Sequence, residues 1–320
     1  MALVMPATTS SVVLAEPRRR RRVTAGHEIQ VDWPKFHKQG ASITGRCRMK
    51  RFFVNSILGH FALAARDKFG LLRTALSQPE SVGTLANDQL ATMLITRICQ
   101  PGKTFVDVGA HIGSVISEVL RHDRRIRVIA IEAIPEKVAH LRRKFRNVEV
   151  VECAVGESAG DAPFFVNKSQ SAYSSLSRPS GASIAFREIR VRIERLDGIV
   201  PWHEVDAIKI DVEGAELGVI RGSEKTLSES RPSVMFESAP IHGNDGGYTK
   251  EDLWNQFSKQ SYSILVPNRV AHNDDGLSLE GFLESHLYPR RSTNYFAIPN
   301  ERRVEIRDHA RRIIGVKVTN

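Results

Sequence analysis

The sequence lacks the features that define several classes of protein. It contains no run of about 18 consecutive apolar residues, so no membrane-spanning helix is predicted. Cysteine is scarce: Cys47, Cys99 and Cys153 are scattered without metal-ligand spacing, and an odd number predicts no disulfide framework. This usage is typical of a reducing compartment, so we expect a cytoplasmic protein. There is no internal repeat or long low-complexity tract, which argues against a solenoid.

What remains is the composition of an ordinary globular chain. Of the 320 residues, 41% are hydrophobic and 26% are charged, enough for a sizeable core and a well-solvated surface. The length leaves room for one large domain with appendages.

The net charge of +10 is concentrated at the two ends of the chain. Residues 1–60 hold 11 basic and 3 acidic residues, and residues 301–320 hold 6 and 3. The run Arg18–Arg22 follows an apolar stretch, whereas a secretory signal places its positive charge first. Without interleaved aromatics this run predicts no specific nucleic-acid recognition, and weak contact with an anionic membrane surface stays open. We expect residues 1–45 to be a flexible basic segment and residues 301–320 a basic tail.

The apolar periodicity predicts a helical extension followed by a parallel α/β domain. Apolar residues recur at helical spacing over residues 46–77, and a second helix over Asn87–Ile98 would be capped by Asn87 or Asp88. Short apolar runs then alternate with amphipathic stretches, interrupted after Val155 by a strand-rich insertion. We therefore predict an extension at 46–86 and a domain at 87–300. The predicted strands are 104–108, 127–131, 148–151, 162–166, 189–193, 207–212, 233–237, 262–266 and 295–298, and the later helices are 114–120, 135–145, 215–227 and 250–259.

The first predicted strand ends in the turn Asp107-Val-Gly109-Ala-His-Ile-Gly113. Sheets of this type bind ligands at the carboxyl ends of their strands, and the two glycines allow the backbone to approach a ligand closely. A dinucleotide site would show G-x-G-x-x-G, but this turn has Ala110 and His111 in the middle and no third glycine. Asp107 would repel a pyrophosphate, whereas it suits the cationic amino group of a methionine moiety, directly or through water.

One strand and helix further on, Glu132 ends the second predicted strand, 25 residues after Asp107. A carboxylate at this place can accept both ribose hydroxyls of an adenosine. Dinucleotide and adenosylmethionine sites share this acid, so only the turn after the first strand distinguishes the two kinds of site.

A second acidic group follows another apolar strand, in Lys209-Ile-Asp211-Val-Glu213-Gly-Ala-Glu216. Crowding of carboxyl groups at a strand end favours at least one raised pKa. Candidate catalytic bases are Asp211, Glu213, Glu237 at the end of the next strand, and His242 in the loop that follows. A divalent cation held by the first three could instead activate a hydroxyl, but no dedicated metal-ligand spacing supports this, and no metal is predicted.

Several segments together resemble the FkbM family of S-adenosylmethionine-dependent methyltransferases over about residues 87–299. They are TFVDVGAHIG, AIEAIPE, VVECAVGE, RLDGI, AIKIDVEGAELGVIRGSEKTL and RPSVMFE. The resemblance implies a Rossmann-like class I methyltransferase fold with a mostly parallel central sheet flanked by helices. It also implies these site residues: Asp107, Gly109, Ala110, His111 and Gly113 around the methionine part, Glu132 at the ribose, Glu152, Cys153 and Ala154 near adenine, and Asp211 and Glu213 at the active-site edge. The family usually has Asn where this chain has His111.

The resemblance implies a methyltransferase whose acceptor is a hydroxyl of a small molecule or glycan. The Ser-rich loop Ser169–Leu176 resembles a family segment that borders the active site. Two other functions stay open: a non-catalytic cofactor-binding or interaction protein anchored through Arg18–Arg22, and an NAD-linked dehydrogenase.

Overall fold

The computed structural model describes residues 69–167, 174–176, 185–238 and 248–316. Residues 69–77 are helical, and helix α1 follows a short 3-10 turn at Pro79–Ser81. The strands are β1 Thr104–Val108, β2 Arg127–Glu132, β3 Glu149–Glu152, β4 Ala154–Val155, β5 Gly160–Asn167, β6 Phe186–Glu194, β7 Val205–Ile210, β8 Ser233–Glu237, β9 Tyr262–Leu265 and β10 Asn294–Pro299. The helices are α1 Val82–Ile98, α2 Ser114–His122, α3 Pro135–Lys144, α4 Leu196–Ile199, α5 Glu216–Arg221, α6 Lys250–Lys259, α7 Leu279–Glu284 and α8 Arg303–Ile314.

Seven strands form one sheet in the order β3-β2-β1-β7-β8-β10-β9. All neighbouring strands from β3 to β8 run parallel, and β10 is antiparallel to both β8 and β9. The chain reverses its direction of winding at β1, so the carboxyl ends of β1 and β7 flank a crevice of the kind in which open α/β sheets bind ligands. The predicted mostly parallel sheet flanked by helices is confirmed.

Each face of the sheet is covered by its own apolar cluster. Along β1, Val106 packs on the face that holds α5 and α6, and Phe105 on the face that holds α1 and α2. The register pairs Asp107 of β1 with Lys209 of β7. Since paired residues in a sheet point to the same face, the carboxylate of Asp107 and the ammonium of Lys209 lie side by side on one face of the sheet.

The strand-rich insertion forms a separate three-stranded sheet in the order β4-β6-β5. Its apolar residues Ala154, Phe164, Val166 and Val191 pack with Ile134, which follows β2 of the main sheet. The insertion therefore adds a wall beside the carboxyl ends of β2 and β3.

Two local predictions were wrong. Helix α1 begins at Val82, and Asn87 and Asp88 do not cap it: the Asn87 amide donates to the Arg291 carbonyl at 2.7 Å, and the Asp88 carboxylate accepts from the Thr293 amide at 3.1 Å. The predicted helix 215–227 is interrupted after Arg221 and resumes as a π-helix at Thr226–Ser230. Gly222 at the interruption packs on the Gly156 carbonyl, where a Cβ would lie 2.2 Å from the oxygen.

At the C-terminal end, α8 lies against the sheet within the segment predicted to be a basic tail. Ile306 and Ala310 are buried there in the apolar cluster on that face of the sheet. Among the described residues, none of the helices is long and apolar enough to cross a membrane.

Candidate functional site

The turn after β1 contains three residues with positive φ, a backbone conformation that residues with a side chain rarely adopt. Gly109 has φ of 79°, and a Cβ on it would lie 1.9 Å from the carbonyl oxygen of Asp211. Gly113 has φ of 72° at the start of α2, where a Cβ would lie 2.4 Å from the Phe145 ring. His111 between them has φ of 51°, a conformation uncommon for a residue with a side chain. The close approach of the β1 and β7 turns therefore requires glycine at 109.

The Glu132 carboxyl group is buried at the end of β2, and its orientation is fixed by the backbone. Its Oε2 accepts from the amide of His111 at 2.8 Å, and its Oε1 accepts from the amide of Ile134 at 2.9 Å. Burial raises the pKa of Glu132, while nearby Lys137 and the two amide donors oppose that rise. Each carboxylate oxygen has a second lone pair, so the group can still accept hydrogen bonds from a ligand.

The carboxylate of Asp107 forms an ion pair with the ammonium of Lys209 in the crevice. The Lys209 ammonium lies 3.1 Å from Asp107 Oδ1 and 3.2 Å from Asp211 Oδ2, and it also donates to the Gly109 carbonyl at 3.2 Å. Although burial disfavours a charged lysine, the two carboxylates hold the pKa of Lys209 above its usual range. Lys209 was not predicted as a site residue from the sequence. Its ammonium connects the turn after β1 to the acidic cluster.

Asp211 also forms a carboxyl pair with Glu237. Burial and the neighbouring charge of Asp211 raise the pKa of Glu237 to about 9, and the two side chains share a hydrogen bond. Burial opposes ionisation of Asp211, but Lys209 and the hydrogen bond from Glu237 together lower its pKa. Two carboxyl groups that share a hydrogen bond hold a proton between them, and the directions of the two pKa shifts favour the ionised form at Asp211.

Glu213 completes the acidic cluster on a strained backbone, with φ of 53°. Burial and the charge of Asp211 raise its pKa to about 7. Oxygen atoms of Asp211, Glu213 and Glu237 all lie within 4.8 Å of one another, a spacing that oxygen ligands of a divalent cation could adopt. The structure thus brings together three of the four predicted catalytic residues; His242 lies outside the described residues.

A cavity opens over these groups at the carboxyl ends of β1, β2 and β7. It is lined by most of the predicted cofactor residues: Asp107, Gly109, Ala110, His111, Glu132, Cys153 and Ala154. Gly113 lies behind the lining, where it lets α2 begin against α3. Burial raises the pKa of Cys153 to about 11, so this residue lines the cavity as a neutral thiol.

The two ends of the cavity differ in polarity. One end has the charged groups Asp107, Lys209, Asp211 and Glu213, whereas the other has Ile134, Phe164 and Leu176. Ser174 and Leu176 of the Ser-rich loop line the cavity, and the Ser175 hydroxyl donates to the Glu213 carbonyl at 2.8 Å. The rest of that loop, 169–173, lies outside the described residues. Phe164 and Lys137 also line the cavity and were not predicted from the sequence, since they lie outside the quoted motifs.

Beyond β8, a second polar network begins at Ser238. The Lys250 ammonium donates to Ser238 Oγ at 2.9 Å, and His286 Nε2 lies 2.9 Å from the same oxygen. His286 Nδ1 lies 2.7 Å from the Phe282 carbonyl oxygen, which can only accept. The proton of the neutral ring is therefore on Nδ1, and Nε2 accepts from the Ser238 hydroxyl.

The environment of His286 predicts a pH dependence of stability. Burial and the positive charges of Lys250 and Arg290 lower its pKa to about 4, although its two hydrogen bonds oppose this. Since a histidine in the unfolded chain takes up its proton near pH 6.5, stability is fully present above that pH and falls towards pH 4. The loss approaches about 3 kcal/mol. We expect urea titrations from pH 7 to pH 4 to show a flatter decline for His286→Gln than for wild type. His203 is exposed, so the stability of His203→Gln should fall with pH as that of wild type does. Equal falls in stability for all three proteins would refute the role of His286 in the pH dependence.

The class of protein follows from its similarity to known proteins. Residues 107–264 match the family model described as the methyltransferase FkbM domain. The chain has the class I fold of S-adenosylmethionine-dependent methyltransferases, with the antiparallel strand β10 inserted between β8 and β9. The predicted resemblance to the FkbM methyltransferase family is confirmed over this domain, and so is the predicted fold class.

Solved structures with a similar fold include three bacterial methyltransferases. The FkbM methyltransferase from Methylobacillus flagellatus is 20% identical with a TM-score of 0.39, and the match covers 62% of this chain and 43% of that chain. The precorrin-6y C5,15-methyltransferase from Geobacter metallireducens is 16% identical with a TM-score of 0.34, covering 55% and 72%. A TehB-like methyltransferase from Corynebacterium glutamicum is 10% identical with a TM-score of 0.32, covering 65% and 85%. No curated protein sequence matches the chain significantly.

Proposed function

We propose that this chain transfers a methyl group from S-adenosylmethionine to a hydroxyl group of a small molecule or glycan. The observation that carries the proposal is the hydrogen-bonded carboxyl pair of Asp211 and Glu237, of which Asp211 lines the cavity. The ionised member of such a pair can accept the proton that a hydroxyl loses as it is methylated.

The polarity of the cavity supports a definite orientation of the cofactor. Glu132 is placed to accept the ribose hydroxyls, and the apolar end formed by Ile134, Phe164 and Leu176 offers a flat surface for adenine. The charged end has two carboxylates, Asp107 and Asp211, against the single ammonium of Lys209. Its excess negative charge favours the cationic methionine end, so Asp107 acts jointly with Lys209 rather than as an isolated carboxylate.

The chemistry divides between the cofactor and the chain. The bound cofactor supplies an electrophilic methyl group on a sulfonium, whose transfer forms an O–CH3 bond and breaks an S–CH3 bond. The close approach of Gly109 to the Asp211 carbonyl holds the turn after β1 beside Asp211, which would keep the cofactor near the proton acceptor. Asp211 receives the hydroxyl proton, while Lys209 and the shared proton of Glu237 keep it ionised until then.

The proton-transfer role is tested by Asp211→Asn. We expect it to lower kcat by roughly 10²- to 10⁴-fold, the range that a positioned base contributes. Labelled methyl transfer into host-cell extract measures the rate, and calorimetry with S-adenosylhomocysteine should show retained binding. Glu251→Gln, an exposed acid of α6, serves as control and should transfer at the wild-type rate.

Each alternative gives a different result in the same experiment. Loss of transfer with EDTA, restored by Mg²⁺, would favour a divalent cation held by Asp211, Glu213 and Glu237 over a directly acting base. Cofactor binding without transfer to any extract component would favour the interaction protein, and nicotinamide binding would favour the dehydrogenase.

The proposed setting is the cytoplasm. Arg18–Arg22 would add a charge-based contact with anionic membrane surfaces and take no part in methyl transfer.

A further inference from the structure

The Lys250 side chain lies in an environment that disfavours its charge. It is the first residue of α6, where the helix dipole presents positive charge and favours anions over cations. The side chain is half-buried, and burial lowers its pKa although Glu216 and Glu237 lie near enough to oppose this. Among the described residues it forms no ion pair within 4.0 Å, and its ammonium donates only to the Ser238 hydroxyl.

The surrounding network fixes the position of this ammonium. Ser238 is buried and immediately follows Glu237, the last residue of β8. Because His286 Nδ1 faces the Phe282 carbonyl, Nε2 takes the Ser238 proton and leaves the Ser238 lone pairs for Lys250. The His286 ring is itself held between Tyr295, stacked at 5.1 Å, and Phe282, edge-on at 4.7 Å. The Lys250 ammonium is thereby held at Ser238, the residue that follows Glu237 of the proton-accepting pair.

We propose that Lys250 binds an anionic group of the methyl acceptor, which makes the substrate a hydroxyl compound that also carries a carboxylate or phosphate. The inference rests on the proposed function, since it names the acceptor class of the same site. The cofactor residues lie on the β1 and β2 side of Asp211, and Lys250 lies on the β8 side of Glu237. An anion on Lys250 would gain a charge-assisted hydrogen bond and would place the rest of the acceptor over the carboxyl pair.

The test uses the full chain and host-cell metabolites separated by anion exchange into retained and unretained pools. Wild type should transfer labelled methyl groups into the retained pool. Lys250→Met should reduce this transfer roughly 10- to 100-fold, as expected for loss of a hydrogen bond between charged groups. Affinity for S-adenosylhomocysteine should stay unchanged, and Lys250→Arg should restore part of the transfer. Lys259→Met, an exposed lysine at the other end of α6, is the matched control and should behave as wild type.

Label confined to the unretained pool, or wild-type transfer by Lys250→Met, would overturn the proposal. Failure of wild type to transfer to either pool would count against the proposed function itself, and a second measurement then decides the anion site. Inorganic phosphate and acetate are titrated separately by calorimetry into protein saturated with S-adenosylhomocysteine. Binding of either anion by wild type and by Lys259→Met, but not by Lys250→Met, supports the site and distinguishes a phosphate from a carboxylate acceptor. Equal behaviour of wild type and Lys250→Met overturns it.

Discussion

Lys209→Met should lower the free energy of unfolding by about 3–5 kcal/mol, the effect of removing one partner from a buried ion pair. The substitution keeps the apolar part of the side chain but leaves the carboxylate of Asp107, only 1% exposed, without its ammonium partner. It also removes the link to Asp211 and should therefore weaken cofactor binding. Urea unfolding followed by circular dichroism measures the loss.

Two variants separate lost pairing from lost packing at this position. Lys209→Met combined with Asp107→Asn removes the unpaired buried charge and should recover much of the stability. Lys103→Met removes an exposed lysine just before β1 and should leave stability nearly unchanged. A Lys209→Met protein as stable as wild type would show that the ammonium does not hold the Asp107 and Asp211 carboxylates together.

Gly109→Ala should abolish measurable cofactor binding. The added Cβ would lie 1.9 Å from the backbone oxygen of Asp211, and backbone cannot rotate aside as a flexible side chain can. The turns after β1 and β7 would have to separate, which displaces Asp107 and Asp211 together. Calorimetry with S-adenosylhomocysteine measures the binding, and thermal unfolding shows how much of the fold survives.

The matched control is Gly102→Ala in the turn before β1. Gly102 has φ of 82°, close to the 79° of Gly109, but a Cβ there would meet nothing within 4 Å. Both variants therefore carry the same backbone strain, about 1–2 kcal/mol for a left-handed residue, and only one carries the clash. Equal effects of the two substitutions on cofactor binding would contradict the close approach of the two turns.

The sequence predicted the parts of the site that depend on local pattern. The turn from Asp107 to Gly113, the acid Glu132 and the group from Asp211 to Glu213 each follow an apolar strand, and parallel strands bring their carboxyl ends to one edge. The predicted strands 104–108 and 233–237 and the helix 250–259 have the predicted bounds. Their apolar alternation and flanking turns are local signals that tertiary packing did not override.

The rest depended on pairing between distant segments. Lys209 was given no role from the sequence, and only the register of β1 against β7 shows that it lies beside Asp107. Asn87 and Asp88 resemble helix caps but bind the chain at 291–294, some 200 residues away. Lys250, Ser238 and His286 meet from three segments whose spacing carries no motif. Long-range contacts of this kind leave no periodic trace in the sequence.

The measurement that tests the account most directly is calorimetric titration of S-adenosylmethionine and S-adenosylhomocysteine into the full chain, with Glu132→Ala alongside. The account predicts binding of one cofactor per chain, with a dissociation constant in the range of about 1 μM to 1 mM that is usual for enzyme ligands. It also predicts strong loss of affinity in the variant, because Glu132 is the proposed acceptor of the ribose hydroxyls. Absence of binding by wild type to either compound, or equal binding by both proteins, would contradict it.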